Sequence, residues 1–218
     1  METITLVGGT GELGGGLARL WARAGLRVVI GSRAAERAAE SAADINAELG
    51  IDTVTGMDNL AAAEAGDVVV LAVKFAHQRA TLERIQPALI GKILVDTTVP
   101  LVPPKVARVQ LPPEGCAAVI TQSIVGEATE VVAAFQNVSA SSLRDAEVRK
   151  SDVLVTGDSP EARQAVIDLA TRAGFRAWHA GPLANSAAME ALTSVLIFMN
   201  KKYASDHTGI AMTGAEPA

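Results

Sequence analysis

Residues 4–16 read ITLVGGTGELGGG, an apolar run that breaks into glycines and then into the start of an amphipathic helix. Ile4, Leu6 and Val7 are side chains of a buried parallel strand, and Gly9, Gly11 and Gly14 follow at the G-x-G-x-x-G spacing. In that motif Gly9 makes the tight turn, Gly11 leaves room for a pyrophosphate beside the backbone, and Gly14 lets the helix pack close on its strand. Leu17, Leu20, Trp21 and Ala24 recur at i, i+3, i+4 and i+7, so the glycines open a helix whose positive end faces the phosphates. Glycine-rich turns are common; the strand before this one and the helix after it tie it to a dinucleotide.

Gly25 ends the helix and Leu26 to Ile30 forms a second strand, giving the strand-helix-strand order of a dinucleotide fold. That strand runs into Gly31-Ser32-Arg33, where an NAD enzyme places an acid for the ribose 2′-hydroxyl and an NADP enzyme places groups for a 2′-phosphate. The acid is missing. Ser32 and Arg33 both suit a phosphate, and Arg37 lies one helical turn further on. At about 1.5–3 kcal/mol per charge-assisted bond, two such bonds favour NADP over NAD by roughly a hundredfold or more. The same arginines also suit a solvated helix, because Arg and Glu alternate here.

Beyond this unit, Ala34 to Leu49 reads as a helix closed by Gly50, Ile51 to Thr55 as a short strand and Asn59 to Ala65 as a brief helix. Val68 to Val73 is apolar on both faces, as a central parallel strand must be. Ligands bind at the carboxyl ends of such strands, so Val73 is expected against the nicotinamide ribose, with Lys74 or His77 near the phosphates or the substrate. A solvated loop lysine and a helix-start histidine with no chemistry account for the last two equally simply. A helix continues over Leu82 to Leu89, and Lys92 to Asp96 is a fifth strand. It presents Asp96, Thr97 and Thr98 at its end, followed by an ordered proline-rich loop from Pro100 to Pro113. Cys116 to Glu127 reads as a helix and Glu130 to Phe135 as the last strand of the sheet, ending in Gln136-Asn137.

The fold class is therefore α/β, a Rossmann-type parallel sheet over residues 1–138 followed by a small C-terminal α/β domain over 139–218. Ser139 to Lys150 is the connection into that second unit, with strands at Asp152 to Thr156 and Phe175 to Trp178. Between them a helix starts at Ser159-Pro160-Glu161 with an N-cap and a proline at its first position. The last helix, from about Asn185 to Lys202, repeats Ala188, Leu192, Val195 and Met199, with Leu196 and Phe198 widening the face. So broad an apolar face needs a cover, and a homodimer supplies one.

Of the 218 residues 49% are hydrophobic and only 3% aromatic, so the core must be built from Ala, Val, Leu and Ile. A net charge of -5 argues against a nucleic-acid partner, whose backbone needs a basic face. The single cysteine, Cys116, excludes an intrachain disulfide and reads as a small buried or loop thiol. With the first strand starting a few residues after Met1 and no long apolar run, the expectation is a cytoplasmic protein with neither signal peptide nor membrane span.

Taken together, these residues resemble the NADPH:coenzyme F420 oxidoreductase family, the F420-dependent NADP reductases. The likeness spans nearly the whole chain. It covers Gly8 to Gly14, Gly31-Ser32-Arg33 with Arg37, Thr55-Gly56-Met57 with Asn59, Val99-Pro100-Leu101, Gly181-Pro182-Leu183 with Asn185-Ser186, and Glu190-Ala191-Leu192-Thr193. The resemblance implies hydride transfer between NADP(H) and the 8-hydroxy-5-deazaflavin coenzyme F420. It implies that Thr10, Glu12 and Leu13 also border the pyrophosphate, and that Ser32, Arg33 and Arg37 hold the 2′-phosphate. It further implies that Val73, His77, Val99 and a residue near Asn137 follow the nicotinamide half. The C-terminal unit would cover the deazaflavin, with the tail around Thr208-Gly209-Ile210 closing the cleft. Lys74 stands where the family pattern has proline, and Gln136-Asn137 and the polar tail Ser205 to Thr208 also depart from it, all toward the second substrate.

Hydride transfer between two flat rings needs positioning more than acid-base help, so no side chain is expected to be catalytic and no metal is required. The alternative on the same scaffold is an NADPH-dependent reductase of a flavin, an imine or a small carbonyl compound. A carbonyl or imine would need a proton donor from among Lys74, His77, His179 and His207. A third possibility is a non-catalytic NADP sensor, which would have no use for a second ring-covering unit.

Overall fold

The structure is a computed structural model, and it describes residues 2–143 and 151–216. Part of the expected Ser139 to Lys150 connection, residues 144–150, lies outside the described residues. Eight strands form one sheet: β1 (Thr3–Val7), β2 (Arg27–Ser32), β3 (Val54–Asp58), β4 (Val68–Leu71), β5 (Ile93–Asp96), β6 (Glu130–Ala133), β7 (Val153–Gly157) and β8 (Ala177–His179). Their order is β3-β2-β1-β4-β5-β6-β7-β8, with the chain reversing direction across the sheet between β1 and β4. Strands β1 to β6 are mutually parallel, as a Rossmann sheet requires. The expectation that β6 is the last strand is corrected: β7 pairs antiparallel with β6, and β8 pairs parallel with β7.

Seven helices among the described residues cover the sheet: α1 (Glu12–Arg23), α2 (Ala35–Leu49), α3 (Asn59–Ala65), α4 (Phe75–Ile85), α5 (Ala117–Val125), α6 (Pro160–Arg172) and α7 (Ser186–Tyr203). Alternation along the central strand explains the two layers. Val68 and Val70 face a core shared with Leu17, Trp21, Ile45 and Val166, while Val69 and Leu71 face one shared with Leu82, Ile85 and Val125. Because β4 is covered on both sides, both of its faces must be apolar. The helix expected to start near His77 and to continue to Leu89 begins at Phe75 as α4, but its last residues, Gln86–Leu89, form a 3-10 turn, where Pro87 removes an amide donor.

The N-terminal and C-terminal parts are joined by aromatic packing. The Trp21 indole donates to the carbonyl of Leu169 at 2.9 Å, and its ring meets Phe135 edge-on at 5.9 Å. Phe135 in turn meets Phe175 at 6.0 Å, and it holds a backbone φ of +70° just beyond β6. A left-handed conformation at a bulky residue costs about 1–3 kcal/mol and survives only where packing fixes it. Here it turns the chain sharply into Gln136-Asn137.

Helix α7 leaves part of its apolar stripe uncovered. Ser186, Met189, Glu190, Ser194 and Leu196 are buried against the fold, while Val195 is 42% and Phe198 56% exposed. Ser186 and Glu190 go inside because each has a partner. Both Glu190 carboxylate oxygens accept backbone N–H groups from the first turn of α5, Ala117 at 2.7 Å and Ala118 at 3.1 Å. The Ser186 hydroxyl donates to the Cys116 thiol at 3.0 Å, so Cys116 is a buried structural thiol.

Candidate functional site

The glycine turn divides its labour differently from the motif's usual description. The left-handed residue is Gly8, at φ +77°, one position before the motif begins; its N–H donates to the Asn59 side chain at 3.3 Å. A Cβ on Gly8 would meet Val73 Cγ1 at 2.6 Å and the Ala72 carbonyl at 2.8 Å. Gly9 lies buried between β1 and β2, its N–H shared by the carbonyls of Leu6 and Gly31, both at 3.0 Å. Gly14 packs on it, so closely that a Cβ would come within 2.8 Å of the Gly9 Cα. Gly11 is open: an added Cβ would touch only the Gly8 carbonyl, at 3.6 Å.

Gly11 is the N-cap of α1, and no side chain caps the helix, so its first-turn N–H groups are directed at the cleft. Glu12, exposed, and Leu13, half-buried on the core, form that first turn. Above it lies a cavity of about 590 Å³ lined by Gly8, Thr10, Gly11, Ser32, Arg33, Ala34, Arg37, Asn59, Ala72, Val73, Lys74, His77 and Thr81. The residues singled out in three separate stretches of sequence thus meet around one space at the carboxyl ends of β1, β2 and β4.

Arg33 and Arg37 are exposed, and neither makes an ion pair with any described residue. Ser32 is buried, and its hydroxyl accepts the Ala34 N–H at 3.3 Å, which leaves its own proton available to an anion. His77 shares the large cavity and a smaller one of about 120 Å³ with Ser32, Arg33 and Asn59, and so stands on their side of the cleft. Asn59 was missed in the sequence as a support for the turn. Its signal is the preceding Asp58, which caps α3 by accepting the N–H groups of Leu60 and Ala61 and fixes Asn59 at the first helical position.

The remaining site candidates lie elsewhere. Val99 is half-buried in the loop after β5. Asn137 is buried, and its amide donates to the Met189 carbonyl at 2.8 Å and the Thr193 hydroxyl at 3.1 Å, tying β6 to α7. It lines a second cavity, about 170 Å³, with Gln136, Thr193, Asn200 and Thr208 among its walls. Next to these, β5 ends in a fully buried acid. Asp96 accepts from the Thr121 hydroxyl at 2.5 Å, the Gln78 amide at 3.2 Å and the Thr98 N–H at 2.7 Å. Burial pushes its carboxyl up despite those bonds. Burial likewise pushes Glu190 up to about 7, against the pull of the α5 amides and with the Asp96 charge adding to the rise.

A glycine turn after β1, an uncapped helix end and, from the end of β2 into α2, two arginines unpaired among the described residues define a dinucleotide-binding protein of the Rossmann class. The family described as NADP oxidoreductase, coenzyme F420-dependent, matches residues 3–100. An F420-dependent NADP reductase from Methanocaldococcus jannaschii is 40% identical over 98% of this chain and 99% of its own. One from Methanothermobacter thermautotrophicus is 38% identical over 96% and 94%. A crystal structure of a protein from Arthrobacter sp. fb24 shares the fold with a TM-score of 0.79 at 23% identity, covering 97% of this chain and all of its own. This chain belongs to the F420-dependent NADP reductase family.

Proposed function

We propose that this protein is an oxidoreductase that passes a hydride between NADP(H) and coenzyme F420. The observation that carries the reading is the meeting of Ser32, Arg33 and Arg37 with the Gly8-to-Gly11 turn around one cavity, with both guanidiniums unpaired among the described residues. The donors fit the group. The α1 amides and Thr10 hold the pyrophosphate; Ser32, Arg33 and Arg37 hold the 2′-phosphate, and Val73 borders the ribose on the far side. When bound, the nicotinamide and the deazaflavin supply the hydride donor and acceptor.

The chain's own part is positioning. Holding two rings face to face contributes roughly 7–11 kcal/mol of the barrier without any acid or base. Val99 and Asn137 follow the nicotinamide half, the tail around Thr208 closes the cleft, and residues 139–218 act as the unit that covers the acceptor. The reading also includes a homodimer in the cytoplasm. Exposed Val195, Phe198 and Tyr203 on α7 support the dimer, and no helix among the described residues is long and apolar enough to cross a membrane.

Mixing NADPH with oxidised F420 tests the reading directly. The visible absorbance of the deazaflavin should fall in step with the loss of NADPH, and NADH should be a much poorer donor. NADPH oxidation by a free flavin or a cyclic imine, with none by F420, would refute it.

A further inference from the structure

Outside the nucleotide cleft, a dense polar constellation sits at the start of β7. The Asp152 side chain is only 2% exposed, and it accepts Arg176 Nε and Nη2, each at 2.8 Å, Trp178 Nε1 at 3.0 Å and the Met212 N–H at 2.6 Å. Its own N–H donates to the Ile210 carbonyl at 2.8 Å, and Arg176 Nη2 also donates to the Met212 carbonyl at 2.8 Å. Burial raises the Asp152 carboxyl, but Arg176, the Met212 amide and Trp178 outweigh it and hold the group below the usual range. The carboxylate thereby holds Met212, 60 residues away, while the Asp152 backbone N–H holds the carbonyl of Ile210 on the other side of Ala211.

The same tail is held again upstream. The hydroxyls of Ser139 and Ser141 donate to the Asp206 carbonyl at 2.6 and 2.9 Å, and the Thr208 N–H donates to the Asn200 side chain at 3.0 Å. Gly209 is pressed so closely on Ser151 that a side chain there would overlap its hydroxyl. Between these clamps Thr208 lines the 170 Å³ cavity with Gln136, Asn137, Thr193 and Asn200, at the carboxyl end of β6. Burying a charge costs several kcal/mol, and holding an exposed tail such as Met212, 42% exposed, returns little to the core. The latch makes sense if the tail has to be in one place.

We propose that Asp152 is a positioning residue for the second substrate: it fixes residues 206–212 so that Thr208 forms the outer wall of the cavity beside Asn137, against which the acceptor binds. The proposal rests on the functional reading above, with F420 as acceptor. Two variants free the tail by different routes. Asp152→Asn weakens the grip, and Gly209→Ala lifts the segment off Ser151 while leaving Asp152 and Arg176 in place.

The measurements are hydrogen exchange over the tail with and without F420, the Kd for NADPH, and the KM for F420 at saturating NADPH. In the wild type F420 should slow exchange over residues 205–212. Both variants should exchange faster there and show an F420 KM raised about tenfold or more, with the NADPH Kd changed less than about twofold. A freed tail with an unchanged KM overturns the proposal, as does unchanged tail exchange in both variants, or a proportional loss of NADPH and F420 binding. If Asp152→Asn does not fold, Gly209→Ala decides by the same criteria. A wild type that passes no hydride to F420 refutes the functional reading and takes the latch with it, whereas an active wild type with the outcomes just named refutes the latch alone.

Discussion

Replacing Arg33 by alanine tests the coenzyme choice without disturbing the fold. The side chain is exposed and makes no ion pair with any described residue, so its loss should change stability by no more than about 0.5 kcal/mol. Its bond to a 2′-phosphate, being charge-assisted, is worth about 1.5–3 kcal/mol, which at 1.4 kcal/mol per decade is a loss of roughly 10- to 150-fold in NADPH affinity. NADH has no phosphate there, so its affinity should move less than about twofold. Arg37→Ala should act in the same direction. Since both guanidiniums act on one phosphate, the double variant should deviate from the sum of the single losses. Titration of reduced nicotinamide fluorescence with NADPH and NADH, at low and high salt, reads all of this, and the salt dependence should shrink in each variant. Equal weakening of NADPH and NADH, or no weakening of either, would refute the assignment of the phosphate to Arg33.

Other expectations follow from the buried carboxylates and from α7. Glu190 holds its proton up to about pH 7 in the folded protein against an ordinary 4.5, so the folded state binds more protons than the unfolded across that window. Stability should therefore fall as pH rises from 4.5 to 7, by about 3.5 kcal/mol at most at 1.4 kcal/mol per pH unit, with Asp96 adding in the same direction. Urea midpoints across the window should show that fall, and Glu190→Gln should flatten it; a wild-type midpoint that climbs between those limits would count against the buried acid. Asp152, held below its usual range, acts with the opposite sign and only at lower pH. On α7, the Val195→Lys, Phe198→Lys double variant should sediment as a monomer at concentrations where the wild type is a dimer. A monomeric wild type would remove the dimer.

What could be read from the sequence was local, and what could not was set by distant partners. β1, β2, β4 and β5 are legible because buried parallel strands must be apolar, and the cleft residues at their carboxyl ends followed from those positions. β3 is a counter-example. Ile51 to Thr55 has the composition of a strand, yet the strand runs from Val54 to Asp58. Asn46 on α2 both donates to the Val54 carbonyl at 2.8 Å and accepts its N–H at 3.1 Å, so pairing with β2 starts only there. Within it Gly56 is imposed by α2, whose backbone at Ala38 crosses where a Cβ would stand. No window of neighbouring residues contains that information.

The two surprises of the C-terminal half have one physical cause. The apolar stripe of α7 is legible from its spacing, but the burial of Ser186 and Glu190 beside Met189 and Leu196 is not: Glu190 supplies two acceptors to the uncapped start of α5 and Ser186 a donor to Cys116. Asp152 is buried for the same reason: Arg176 and Trp178 on either side of Ala177 in β8, and Met212 in the tail, bring donors from two other places in the chain. A buried carboxylate is stable only when distant groups converge on it, and convergence has no period. Hydrophobic patterning therefore locates the parallel strands of the N-terminal half. The C-terminal half is held by side-chain contacts to α5, α7 and the tail, and those are visible only once the chain has folded.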